Sequence, residues 1–284
     1  MLDKLVFKEI KNYRKVVKNI RQDLTTYIIS HDIKSLVLGV SGGLDSAVVA
    51  ALARPVCNKL GIQLFGISLP SPTNKTDEIR RANNIMETFC NWYNTVPIDD
   101  MFQCLWKKME FGQQFSENRK PIAMGNIKAR VRMIYLYNFA FNSNGMVLGT
   151  DNLTEYLLGF WTLHGDVGDY SPIQFLWKSE VYNLARWMCK SDNTIVNESA
   201  AIALMDCVEA TPTDGLGITS SDMESLAGDG SVTYEQIDST LQRVLKKKGA
   251  VNPGLARRLA DRHNRTHFKR NNPYNISRKQ LLAR

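Results

Sequence analysis

Strand-sized apolar runs alternate with helix-length stretches through the first 150 residues of the chain. Near-continuous apolar segments at 35–40 (SLVLGV), 64–69 (LFGISL) and 145–150 (GMVLGT), with a shorter one at 93–99, predict strands. Between them, 46–60, 75–90 and 125–144 carry the length and spacing of helices. Strands that are apolar at nearly every position are buried on both faces, which predicts a doubly wound parallel sheet of α/β class with helices on both sides. Right-handed crossovers would then bring every strand's C-terminal end to one edge, where such folds bind ligands. The first twenty residues are charged throughout and read as an amphipathic helix, with Leu5, Ile10, Val16, Val17 and Ile20 approximating one face. The helix 125–144 is apolar almost all round, so a subunit interface or burial beneath the sheet must cover it.

The pattern loosens beyond about residue 190. The stretch 211–233 is rich in Gly, Ser, Thr and Asp and has no sustained periodicity, so a loop is expected there, either a closing lid or ordinary surface. Segments 233–245 and 253–268 look helical again. The chain reads as one domain over 1–284: an N-terminal helix (1–34), a nucleotide-binding core (35–190), then a loop and basic helical segment (191–284).

Charge adds one feature. The net charge is +8, and from Arg243 to Arg284 thirteen Lys and Arg face a single acid, Asp261. Such a tail suits a polyphosphate or nucleic acid, or is simply a solvated helical face. No run approaches the roughly 18–20 apolar residues of a membrane span, and the charged N-terminus does not resemble a secretory signal. The expectation is a soluble, cytoplasmic protein. The five cysteines are scattered without metal-ligand spacing, which predicts free thiols.

The chemistry concentrates in LVLGVSGGLDSA at 36–47, a strand running into Ser-Gly-Gly and then a helix start. Glycines let the backbone turn and approach a ligand, and helix N–H groups favour an anion. Gly39, Val40, Ser41, Gly42, Gly43, Leu44, Asp45 and Ser46 are therefore candidate phosphate-binding residues. The Walker A lysine is absent. A carboxylate at Asp45 beside phosphates calls for a cation, with Mg²⁺ the usual one. Asp151 and Glu155, after the fourth strand, are candidate second ligands, although either could merely cap the next helix.

SGGLDS resembles the pyrophosphate loop of N-type ATP pyrophosphatases. With GNIKARVRM (125–133), the block 149–187, TPTDGLG (211–217) and HFKR (267–270), the chain is similar to the NAD⁺ synthetases of that group over roughly 15–275. The resemblance implies an adenine-nucleotide hydrolase-like fold and a ligase that amidates deamido-NAD with ATP and ammonia through an adenylate. It implies Asp45 and Lys178 as catalytic, and Thr150, Lys178 and Thr213 beside ATP. It further implies Asp45 and Glu155 on Mg²⁺, Arg130, Asp169, Phe268 and Lys269 on deamido-NAD, and a homodimer. Leu163 replaces a common lysine, Ser68 a common arginine, and the turn Gly165–Pro172 is one residue short, which shifts the alignment of Asp169. Phe268-Lys269 stands for the usual His-Lys, with His267 one place early. No amidase domain fits before residue 41, so ammonia arrives free or from another chain. The rival readings are a related tRNA-modifying enzyme, which lacks here an RNA-binding module or paired cysteines, and a non-catalytic nucleotide-binding protein. The co-occurrence of Asp45, Glu155, Lys178 and Thr213 argues against the latter.

Overall fold

The computed structural model describes residues 7–110, 119–191, 198–211, 232–249 and 251–282. Thr213 and nearly all of the 211–233 stretch lie outside the described residues. In chain order the elements are α1 (Tyr13–Ser30), β1 (Ser35–Gly39), α2 (Leu44–Leu60), β2 (Gln63–Ser68), α3 (Thr76–Phe89) and β3 (Trp92–Thr95). Next come α4 (Asp99–Glu110), α5 (Lys120–Asn142), β4 (Gly145–Leu148), α6 (Leu153–Leu158) and α7 (Lys178–Ser191). The described C-terminal part adds α8 (Glu198–Glu209), α9 (Tyr234–Leu245), α10 (Pro253–Arg265), α11 (His267–Arg270) and α12 (Arg278–Leu282).

The four strands form one parallel sheet in the order β3-β2-β1-β4. Alternate residues of one strand feed opposite cores, as the two-residue period of a strand requires. Leu36 and Leu38 join α1, α2, α3, α7 and α8 on one face, while Val37 joins α5 on the other. All three are fully buried, which is why the strand reads as continuously apolar. A third, smaller core gathers Leu153, Leu157, Trp177, Ile237, Leu241, Leu255 and Leu259 from α6, α9, α10 and the approach to α7.

Several boundaries differ from expectation for local reasons. Helix α1 begins only at Tyr13, because Asn12 caps it by accepting from the Lys15 N–H at 3.0 Å. Residues 198–209, where periodicity is weak, are helical, with Leu204 and Cys207 packed on α3 and α7. On α5, Val131, Leu136 and Ala140 are buried, but Ile134 and Phe141 stay 65% and 83% exposed, so the chain itself covers only part of that surface. The cysteines are free, and burial pushes the buried Cys57, Cys90 and Cys207 thiols up to about 12. No helix among the described residues is long and apolar enough to cross a membrane.

Candidate active site

The strand order places a topological switch between β1 and β4, since the chain leaves β1 toward β2 on one side and returns to β4 on the other. A cavity of about 200 Å³ opens at that point. Its walls include Gly39 at the end of β1 with Val40 and Ser41 just beyond it, Ser68 from β2, Thr150 beyond β4, and Arg132 from α5.

The loop from Val40 to Ser46 enters the cavity wall at Val40 and Ser41. Gly42 sits at φ +80°, and a Cβ there would lie 2.0 Å from the Glu78 carbonyl oxygen, so only glycine fits. Ser41 Oγ accepts from the Gly43 N–H at 3.2 Å, and Ser46 Oγ–H donates to the Gly43 carbonyl at 3.1 Å. These bonds hold the loop at the N-terminus of α2, where helix N–H groups lack partners. Arg81, which the sequence reading passed over, reaches from α3 and donates from Nε to the Gly42 carbonyl at 3.0 Å.

Asp45 stands on the first turn of α2 and meets two groups from elsewhere in the chain. One carboxylate oxygen accepts from Asn152 Nδ2 at 3.0 Å, and the other accepts from the Lys178 ammonium. Lys178 Nζ also lies 3.6 Å from Glu155. Burial opposes the charge on Lys178, but Asp45 and then Glu155 outweigh it and hold the ammonium's pKa above its ordinary value. The α7 N-terminus is fixed by three bonds. The Trp177 N–H donates to Glu180 at 2.9 Å, Lys178 N–H to Thr154 Oγ1 at 3.0 Å, and Ser179 N–H to Asp238 at 2.8 Å.

Asn152 organises the acidic side. It is fully buried, its Oδ1 accepts from the Glu155 N–H at 3.1 Å, and Glu155 in turn accepts from the Asn152 N–H at 3.2 Å. This is a capping box on α6. One side chain therefore caps α6 and braces Asp45, a role visible in sequence only as the Asn after GTD. Of the two candidates for second metal ligand, Glu155 approaches the same point as Asp45. Asp151 lies close by, and burial followed by repulsion from Asp166, Glu155 and Asp45 raises its pKa well above the carboxylate range.

The donor set suits Mg²⁺. Two hard carboxylates, Asp45 and Glu155, converge within reach of one ammonium beside a phosphate cradle. Among the described residues no cluster of three or more ligating side chains exists, so phosphate oxygens and water would have to complete the shell.

Part of the basic tail forms an internal bracket. Arg262 Nε donates to the Leu158 carbonyl at 2.9 Å, Arg270 Nη1 to Leu157 at 2.7 Å, and His263 Nδ1 lies 2.8 Å from the same Leu157 oxygen. Lys269 Nζ donates to the Gly159 carbonyl at 2.7 Å and also to Trp161. These cations satisfy the open carbonyls at the C-terminus of α6, while Arg257 on the outer face of α10 is solvated.

The positions matched to deamido-NAD are divided. Lys269 is drawn toward Asp166 and Asp151, although burial lowers its pKa. Phe268 is 58% exposed. Arg130 is exposed and donates to the Leu163 carbonyl at 3.1 Å. Asp169 stands apart, accepting from the Val147 N–H at 2.8 Å and the Tyr137 hydroxyl at 3.0 Å. Asp166, three residues earlier, lines the cavity, as Glu78 does on the opposite element. Asp166 accepts from the Thr162 N–H at 2.6 Å, and burial raises its pKa. In place of the arginine expected at Ser68, the wall carries Arg132, donating to the Leu69 carbonyl at 2.9 Å and Asn74 Oδ1 at 3.2 Å.

The sequence profile of the NAD synthase family matches residues 16–273. The chain belongs to the NAD synthase family. It is 30% identical over 267 residues to the NH(3)-dependent NAD(+) synthetase of Thermoplasma volcanium, covering 94% of this chain and 98% of that one. The T. acidophilum counterpart is 31% identical over 247 residues, covering 86% and 91%. Among solved structures, the NMN synthetase of Francisella tularensis superposes with a TM-score of 0.74 at 27% identity, covering 94% and 98%. An NH3-dependent NAD synthetase from Campylobacter jejuni shares the fold, with a TM-score of 0.69, 24% identity, and 94% and 100% covered.

Proposed function

We propose that this chain converts deamido-NAD to NAD⁺, consuming ATP and ammonia and releasing AMP and pyrophosphate. One observation carries the reading: Asp45, Glu155 and Lys178 meet at the mouth of a glycine-built anion cradle. A carboxylate is a weak nucleophile toward a polyanion, so charge on the phosphates must be neutralised and the partners held in line. Ser41, Gly42, Gly43 and Ser46 would hold the leaving pyrophosphate. Lys178 would follow the phosphate charge, leaving Asp45 and Glu155 to hold Mg²⁺, which when bound would neutralise phosphate oxygens. Adenine and ribose would occupy the cavity between Ser68, Arg132 and Thr150, with Thr213 approaching the phosphates. Arg130, Asp169, Phe268 and Lys269 would face deamido-NAD. Attack by the nicotinate carboxylate on the α-phosphorus then gives an adenylate and pyrophosphate. Ammonia displaces AMP to form the amide, and no covalent enzyme intermediate is needed.

The exposed Ile134, Tyr137 and Phe141 on α5 support a homodimer through that face, and three of the tail's cations are engaged within the chain rather than offered to a nucleic acid. A cytoplasmic setting fits this chemistry. A second reading, amidation of the mononucleotide, is favoured by the fit to the Francisella NMN synthetase. An assay of amide product with ATP and Mg²⁺ decides, comparing deamido-NAD with nicotinate mononucleotide and ammonium with glutamine. Turnover of deamido-NAD with ammonium, lost in Asp45→Asn, is expected. Preference for the mononucleotide would move the assignment to the second reading, and no product from either would overturn both.

A further inference from the structure

A second cavity, of about 350 Å³, lies between α1, the C-terminal half of α2 and α7. Helices α2 and α7 both start at the catalytic edge, with Asp45 and Lys178, and reach this cavity at Lys59 and Trp187. At 1.5 Å per residue, the α2 path from Asp45 to Lys59 spans roughly 20 Å, so the cavity lies well away from the site described above. Its volume falls in the roughly 300–1,000 Å³ range of small-molecule sites.

Its lining is one-sided in charge. Arg14, Lys18, Arg21 and Lys59 contribute four cations, and no carboxylate lines it. Arg21 is a fixed wall. Pro55 has no N–H, which leaves the Ala51 carbonyl without its helical donor. Arg21 supplies the missing bond, donating to Ala51 at 3.2 Å and to the Leu52 carbonyl at 3.3 Å. By contrast Arg14, Lys18 and Lys59 have no ion pair with any described residue. One lysine at a helix C-terminus is ordinary. Several cations gathered round one cavity repel each other, at helix spacings where like charges destabilise. An anionic ligand relieves that repulsion. The floor is apolar, Val17, Pro55 and Val56, and Trp187 forms one wall. A planar base suits the indole and a phosphate chain suits the cations.

We propose that this groove is a second nucleotide site, binding a nucleoside polyphosphate with its base against Trp187 and its phosphates among Arg14, Lys18 and Lys59. The small volume and single indole wall favour one small ligand over a polymer. The test is equilibrium dialysis of the full chain with ADP, in the wild type, in Arg14→Glu/Lys18→Glu and in Lys59→Glu, with activity and thermal melting recorded for each. The expected result is loss of one equivalent of bound ADP on charge reversal, with kcat unchanged and the melting temperature not lowered. Trp187→Phe should weaken that equivalent only a few-fold, and Trp187→Ala at least tenfold. Unchanged stoichiometry in the charge-reversed variants would overturn the proposal. Tripolyphosphate competing as well as ADP would also overturn it, because the base would then go unread. A single-stranded oligonucleotide binding more tightly than ADP at the same residues would replace it with a nucleic-acid surface.

Discussion

The cradle at the start of α2 and the bracket around α6 form two sides of one site, yet they are made of opposite materials. The cradle is contiguous, residues 39–46, and is built on backbone: a positive-φ glycine, helix N–H groups and local serine-to-backbone bonds. The bracket is assembled from Asn152, Thr154, Lys178, Asp238, Arg262, Lys269 and Arg270, which are far apart in sequence and act through side chains. Backbone sites depend on conformation and tolerate little change at single glycines. Side-chain brackets spread their function over many bonds, each worth about 0.5–1.5 kcal/mol net.

The two meet at the Asp45–Lys178 contact, and breaking it should have the largest effect. Lys178→Met leaves Asp45 and Glu155 facing each other without a cation and removes a charge from the phosphates. We expect kcat/KM for ATP to fall about 10³-fold, the upper range for one stabilising group. Adding Asp45→Asn should cost far less than it does alone, because both residues serve one function. Steady-state kinetics on the double-mutant cycle checks this. Gly42→Ala attacks the cradle alone. The left-handed backbone and the clash with the Glu78 carbonyl should cost about 1–3 kcal/mol, read as a fall of several degrees in Tm, with about 10²-fold weaker ATP use.

Asn152→Ala attacks the seam. Loss of the cap should cost about 1 kcal/mol, and freeing Asp45 should lower kcat about tenfold. If Tm falls while kcat holds, Asn152 serves only α6.

The smallest effect concerns pH. Burial is the main cause that raises Glu180, to about 7 from its ordinary 4.5. Between those values the folded chain holds more proton than the unfolded one, so stability falls as pH rises through about 4.5–7 and levels off above. Glu180→Gln keeps an acceptor for the Trp177 N–H and removes that dependence. Its Tm should therefore gain on the wild type by a few degrees between pH 5 and pH 8. An equal difference at both would refute the shift.

This contrast also explains what the sequence reveals. The β1–α2 cradle was legible because its constraints are local: an apolar strand, glycines where Cβ cannot fit, and a carboxylate on the first helical turn. The sheet was legible because Leu36, Val37 and Leu38 are buried on both faces. Helix α8 and the bracket were not. Asp238 caps α7 across 59 residues, and Arg270 reaches Leu157 across 113, so no window of sequence contains either pairing. Likewise Arg262, Lys269 and Arg270, which in sequence are part of a basic run, serve the open carbonyls at the end of α6 only once the chain is folded. Asp169 fared similarly: its match to the family motif says nothing of its bonds to Val147 and Tyr137, which the fold alone creates.

The most direct measurement is pyrophosphate–ATP exchange without ammonia, which isolates formation of the adenylate. With Mg²⁺ and deamido-NAD present, the wild type should incorporate labelled pyrophosphate into ATP. Asp45→Asn and Lys178→Met should not, while Glu180→Gln should match the wild type. Exchange that survives in Asp45→Asn and Lys178→Met would contradict the claim that the cradle and its Asp45–Lys178 pair carry the adenylation.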